Sequence, residues 1–203
     1  MFGDPVCNSR SLPLLPLSEI GTITTGNTPS RAEPANYGGD LEWIKTDNIE
    51  ADRYYITPAA ETLSAIGASQ ARSVGAGAVL MACIAGSIAS IGRVALADRR
   101  VAFNQQINAI LPDARVAVSE FLYCLLRYGQ GRVHAAVNGG MKGMVSKGSL
   151  STIEFPVPPL DEQRAFVPVF HRCRSLMDKQ RAASLDDEAL FQVLAHRAFA
   201  GDL

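Results

Sequence analysis

From Leu160 to Phe199 the chain contains no glycine and a single proline, Pro168. Over this stretch Phe166, Phe170, Cys173, Met177, Gln180, Ser184, Asp187, Phe191, Leu194 and Ala198 follow one another at alternating spacings of four and three. That is a heptad seam, apolar at both ends and polar in the middle. Forty residues rising ~1.5 Å each would make a rod of about 60 Å. Two shorter amphipathic helices folded onto their own domain would use the same pattern, since Ser184 with Asp187 could restart a helix and Pro168 could kink one. Either way the chain divides after Pro159. A globular part spans residues 1–159, and a helical part spans 160–203.

The first part reads as a mixed domain. Residues 1–16 are proline-rich and irregular, and Leu17-Ser18-Glu19-Ile20 suits a short helix with Ser18 as N-cap. Leu41-Glu42-Trp43-Ile44-Lys45 reads as a strand burying the only tryptophan. Val79–Ile84, Ile91–Leu96 and Val101–Leu111 read as further strands, the last with Asn104-Gln105-Gln106 inside it. Ser119 can cap a helix carrying Phe121, Leu122, Leu125 and Leu126 and ending near Gly129. Gly139 to Gly143 reads as a loop, and Ile153 to Pro159 as an extended exit, because proline disfavours helix at and before its own position. The expected class is therefore α+β, a sheet with short helices followed by a long C-terminal helix.

At 203 residues, 47% hydrophobic and 19% charged, the chain can fill a core unaided. This excludes a disordered chain, a disulfide miniprotein and an end-to-end coiled coil. The net charge is −1, but it is unevenly spread. Residues 1–60 sum to −4, residues 61–153 to +5, and residues 154–203 to −2. Fifteen of the nineteen bases are arginine, the side chain suited to phosphates and guanine edges as well as to ordinary ion pairs. Cys7, Cys83, Cys124 and Cys173 lie far apart, as do His134, His171 and His196, so no metal-ligand spacing exists. Reduced thiols in a cytoplasmic protein are expected. The start of the chain carries no secretory signal. Ser73 to Gly92 is twenty residues without a charge, long enough for a membrane span. Its four glycines suit short strands and turns instead.

Catalytic motifs are missing. Lys142 and Lys147 sit in a glycine-containing stretch without the order of a P-loop, and Gly75-Ala76-Gly77 lacks a third glycine for a dinucleotide site. No GxSxG elbow occurs, no Asn-Pro-Pro-aromatic segment for amino-methylation of a flipped base, and no acidic cluster suited to a nuclease metal. No cofactor is expected.

Several segments, taken in order, resemble one family. Leu17-Ser18-Glu19-Ile20, Thr25-Gly26-Asn27-Thr28-Pro29-Ser30 and Tyr37 to Ile49 resemble the opening of a target-recognition domain. Gly77-Ala78-Val79-Leu80-Met81, Ile91-Gly92 and Phe103-Asn104-Gln105-Gln106-Ile107-Asn108 continue it. Phe155-Pro156-Val157-Pro158-Pro159-Leu160-Asp161-Glu162-Gln163 is similar to its exit, and Ala198 to Leu203 to the end of its spacer helix. The family is the DNA-specificity subunit of type I restriction–modification enzymes. Phe2-Gly3-Asp4-Pro5 echoes Phe199-Ala200-Gly201-Asp202, and whole subunits of the family carry two recognition domains, each followed by a long helix. The chain is thus expected to be a single repeat, either a natural half-subunit or a truncated gene product.

The resemblance implies a non-catalytic reader of one half of a bipartite double-stranded DNA site. Phosphate contacts would position it, and base-edge contacts would specify the sequence. The expected contacts are Arg31 in the Thr-Pro-Ser loop, Lys45, Thr46 and Asn48 after the tryptophan strand, Ser87 in a glycine turn, Asn104 and Gln105 with Gln106, and Lys142 and Lys147. The +5 segment would be the electrostatic footprint. A modification subunit would bring S-adenosylmethionine and methylate adenine, and a restriction subunit would bring nuclease and translocase. The helix would pair antiparallel with a second one, most simply in a homodimer through Phe166, Phe170, Cys173, Met177, Phe191 and Leu194. Two alternatives stand beside this one. The chain could be a helical protein adaptor that never touches DNA, or the recognition domain of a stand-alone methyltransferase or endonuclease.

Overall fold

A computed structural model describes residues 1–137 and 143–200, with side chains through residue 184 and at Phe191 and Leu194. The chain opens with β1 (Leu14–Pro16), α1 (Leu17–Ile20) and β2 (Gly21–Thr25). It continues through β3 (Tyr37–Ile44), β4 (Thr62–Leu63), α2 (Ala65–Gln70), β5 (Ser73–Val74), β6 (Val79–Ala82), β7 (Val94–Leu96), β8 (Val101–Phe103) and β9 (Ile107–Pro112). Then come α3 (Ser119–Tyr128), α4 (Gln130–Ala135), α5 (Lys147–Thr152), β10 (Glu154–Pro156) and α6 (Leu160–Ala200). This is the α+β class, with a long C-terminal helix.

Among the described residues three sheets are formed, ordered β1-β10, β2-β9-β6-β7 and β4-β3-β8-β5. All pairings in them are antiparallel except β3 with β8, which is parallel in the register Trp43↔Ala102 and Ile44↔Phe103. Successive strand residues face opposite ways. Trp43 and Ala102 therefore share one face, where they pack with Leu63. Ile44, Val101 and Phe103 share the other, where they join Leu80, Ala95, Ile107 and Ala109 in the larger core.

The expected strand over 101–111 is broken into β8 and β9, which lie in different sheets. Asn104-Gln105-Gln106 is the turn between them. Asn104 Oδ1 accepts the Gln106 N–H at 3.1 Å, an Asx-type turn that competes with the ladder. The helix ends also differ from expectation. Pro16, not Ser18, precedes α1, and Ser119 is the first residue of α3 rather than its cap. The uncharged stretch 73–92 holds β5, β6 and a 3₁₀ turn over Ile88–Ser90, and no helix among the described residues is long and apolar enough to cross a membrane.

The exit of the domain is fastened by Gln163. This buried side chain donates to the carbonyls of Val116 and Pro158, both at 2.9 Å, and accepts the N–H of Val118 at 3.1 Å. All three hydrogen-bonding demands are met inside the first compact unit, Met1–Arg164. Asp161 and Glu162 lie in the first turn of α6, where the helix dipole favours negative charge. From Ala165 onward the chain is a second unit made of the rest of α6. The helix runs on through Pro168 and through Ser184, so it does not restart there. The Ser184 hydroxyl instead donates back to the Gln180 carbonyl at 3.1 Å.

Candidate nucleic-acid interface

Arg31 and Lys45, fourteen positions apart in sequence, meet at one carboxylate. The loop carrying Arg31 is fixed to β3 from two sides. The Tyr37 hydroxyl donates to the Pro29 carbonyl at 2.7 Å, and Trp43 Nε1 donates to the Asn27 carbonyl at 3.2 Å. The Arg31 guanidinium then lies over both rings, 4.6 Å from the Tyr37 centroid and 4.9 Å from that of Trp43. Lys45 Nζ is 5.3 Å from the Trp43 centroid. These are attractive cation–π distances. Lys45 donates to Glu61 Oε1, and Arg31 Nη2 lies 2.7 Å from Glu61 Oε2. The hydrogen bond from Lys45, and after it Arg31, holds the Glu61 carboxyl below its usual range. Glu61 was not legible as a site residue, because its partners lie sixteen and thirty positions away in sequence.

A second polar edge adjoins this one through Asn27. The Thr28 hydroxyl donates to Gln105 Oε1, and Gln105 is exposed. Asn27 Oδ1 accepts the Arg72 N–H at 2.7 Å, while Arg72 Nη1 donates to the Thr25 carbonyl at 2.8 Å. Gly26 permits this packing. A Cβ there would stand 2.2 Å from the Asn104 carbonyl oxygen and 2.3 Å from that of Phe103, so no larger residue fits. Neither Asn27 nor Arg72 was among the expected contacts.

Two expected readers face inward. Asn48 is buried and accepts the Lys45 N–H at 3.0 Å while donating to the Pro58 carbonyl at 3.0 Å. Asn104 is 6% exposed, and its amide donates to Gln106 Oε1 at 3.0 Å. Both side chains are spent on the backbone and on a turn, which corrects their assignment as base contacts. Thr46, half-buried, opens the 3₁₀ turn over Thr46–Asn48.

Ser87 and Lys147 belong to a separate group. An antiparallel bridge between Ile84 and Met144 brings the loop before Ile91 beside the chain entering α5. Ser87 Oγ and Ser90 Oγ are 3.0 Å apart, and Ser87 is exposed. Lys147 is exposed in the first turn of α5, whose N-cap Ser146 accepts the Ser149 N–H at 3.0 Å. Lys142 lies outside the described residues.

Much of the +5 segment is internal wiring. Arg99 donates to Glu42 through two nitrogens and to Asp98 at 2.6 Å. Arg127 donates to the Tyr123 hydroxyl at 2.8 Å and the Ala51 carbonyl at 2.7 Å, and Arg132 to the carbonyls of Pro5 and Val6 at 2.6 and 2.7 Å. A sequence sum cannot separate such arginines from those facing solvent. Burial pushes the Cys83 thiol up to about 11, which keeps it protonated and unreactive. Among the described residues no group of histidine, cysteine and carboxylate side chains could hold a metal.

The expected pairing seam of α6 is exposed along most of its described length. Cys173 is exposed, Met177 is 47% exposed, Phe191 64% and Leu194 41%. Phe166 is half-buried. Phe170, only 3% exposed and in tilted contact with the Phe166 ring and edge-on contact with that of His171, is not available to a partner in the same way.

Residues 15–184 match the family described as the type I restriction modification DNA specificity domain. The specificity subunit of the type I restriction enzyme HindI, from Haemophilus influenzae, is 34% identical over 113 residues, covering 55% of this chain and 23% of that protein. Solved structures give the same fold. A chain from a study of complex assembly and conformational transition in the type I R-M system superposes with a TM-score of 0.68 at 22% identity, covering 94% of this chain and 46% of that one. The HsdS subunit of Thermoanaerobacter tengcongensis gives 0.62 at 21%, covering 94% and 45%. The type I S subunit of M. genitalium gives 0.64 at 14%, covering 96% and 48%. The chain thus spans about half the length of these structures and about a quarter of its curated relative.

Proposed function

The chain belongs to the family of type I restriction modification DNA specificity domains, and from that membership we propose that it reads one half of a bipartite double-stranded DNA site. The observation that carries this is the cluster of Arg31 and Lys45 on the Tyr37–Trp43 platform. A guanidinium held against two rings loses little freedom when it meets a phosphate or a base edge. Gln105 and Thr28, on the adjoining edge, add the amide and hydroxyl chemistry suited to base edges in a groove. Lys147, Lys142 and Ser87 extend the contact to a second loop group.

The chain itself is non-catalytic in this reading. A modification subunit supplies S-adenosylmethionine-dependent adenine methylation and a restriction subunit supplies cleavage, all in the cytoplasm. Residues 1–159 are the recognition domain. Residues 160–203 are a spacer helix that pairs antiparallel with a second copy in a homodimer, forming a coiled coil.

The test is binding of an unrelated 20-base-pair duplex across a salt series. A logarithmic fall of affinity with salt supports a DNA reader. A chain that binds no DNA but retains a protein partner through its helix is the adaptor instead. Methylation of DNA by the purified chain with S-adenosylmethionine would overturn the non-catalytic assignment.

A further inference from the structure

Glu61 occupies the two cations best placed for DNA. We propose that it restrains sequence-independent DNA binding, a carboxylate standing where a backbone phosphate would otherwise bind. The inference rests on the DNA-reading proposal and assigns a role to a residue of the opposite sign.

The geometry is that of an anion already bound. Oε1 accepts the Lys45 ammonium, and Oε2 lies 2.7 Å from Arg31 Nη2. Oε2 is closed off from solvent and pairs with Arg31, which does less than Lys45 to hold the carboxyl charged. That is the weaker of the two grips. The Arg31 side chain is 54% exposed, against 34% for Lys45 and 33% for Glu61. An incoming phosphate therefore meets Arg31 first and competes with a carboxylate for it. The same carboxylate repels the phosphate.

The Coulomb tally gives the direction. Two cations and one anion leave one net positive charge where two would face the duplex. Affinity for unrelated DNA comes almost wholly from neutralised phosphates, each adding roughly 0.9 to the salt slope. Withholding one or two cations lowers that background, against which a half-site must be found. The rings keep Arg31 in place when Glu61 is neutral, so its removal frees charge without freeing the side chain.

The experiment uses the whole chain, a fluorescein-labelled 20-base-pair duplex of unrelated sequence, and tripolyphosphate as a phosphate ligand that is not DNA. Anisotropy reads the duplex. The emission of Trp43, the only tryptophan, reads tripolyphosphate at the cluster. Glu61→Gln should bind the duplex about three- to tenfold more tightly at low salt, with a slope steeper by about one to two. Glu61→Asp, which keeps the charge, should resemble the parent. Glu61→Ala is read in the same way should Glu61→Gln fail to fold by circular dichroism. Equal or weaker duplex binding by the neutral variant, at an unchanged slope, overturns the restraint and leaves DNA reading intact. If neither protein binds the duplex, the DNA-reading proposal fails and tripolyphosphate decides. Tighter binding by the neutral variant then upholds a cation pair withheld from phosphate, and equal binding overturns it.

Discussion

The side-chain oxygen of Asn48 accepts the backbone N–H of Lys45 at 3.0 Å, so a residue three positions on fixes the end of the strand that delivers this cation. Its amide reaches across to the Pro58 carbonyl at 3.0 Å. Asn48→Ala would take this partner from both backbone groups at a part-buried place. The expected loss is about 1–3 kcal/mol of stability. Urea unfolding should show a lower midpoint for Asn48→Ala, and an unchanged midpoint would mean that the two bonds contribute nothing.

Glu42 ties three segments together. It accepts the Ala59 N–H at 2.8 Å and two bonds from Arg99, whose Nη2 also reaches the Thr57 carbonyl at 3.4 Å. The Arg99 hydrogen bonds hold its carboxyl below the ordinary 4.5. A depressed folded-state value adds stability that is complete above the unfolded-state value and is lost as pH falls through the folded one. The stability difference between the parent and Glu42→Gln should therefore be constant from neutrality to about pH 5 and shrink on further acidification. Chemical denaturation at a series of pH values measures it. A difference that grows towards low pH would reverse the sign of the coupling.

The elements legible in the sequence are those set by local rules. The proline exit, the capped glycine end of α3 and the period of α6 all depend on residues within a few positions. Trp43 reads as core because a lone tryptophan in an alternating strand has few other places to go, and it is 3% exposed. The turn at Asn104 was hidden because its flanks, Val101–Phe103 and Ile107–Pro112, are each convincing strand sequence, and only tertiary pairing places them in different sheets. The site was half legible for the same reason. Arg31 and Lys45 stand out as cations in polar loops. Glu61 acquires meaning only when β3 pairs with β4 and carries it across. Gln163, which reads as a polar residue in a helix start, is fully buried because its three partners come from Val116, Val118 and Pro158.

Lys142 and Lys147 flank the chain that bridges to the Ser87 loop through Met144 and Ile84. Reversing both charges, Lys142→Glu with Lys147→Glu, should weaken binding to all duplexes alike and flatten the salt slope by about two. A loss confined to one sequence would make them base readers instead. Identical binding by the double variant would remove this loop from the footprint.

The long helix gives the last test. Met177, Phe191 and Leu194 lie on one heptad seam and are 47%, 64% and 41% exposed. Burying such a side chain gives about 1.5–3 kcal/mol, so a partner surface is strongly favoured over water. The middle of the seam, Gln180, Ser184 and Asp187, is polar. An antiparallel pair accommodates it, because the apolar end of one helix meets the apolar end of the other across a shared polar centre. That arrangement would also send the two recognition domains to opposite ends, as the proposed reading of a two-part site requires. Charge at two seam positions separates pairing from folding. Met177→Glu with Phe191→Glu should give monomers by sedimentation at micromolar concentration, with unchanged circular dichroism. Phe170→Glu should behave differently, since Phe170 is already buried in the single chain, and should lower stability before it changes association. If the unsubstituted chain is monomeric at every concentration, self-pairing is wrong and the seam is reserved for a helix of another protein.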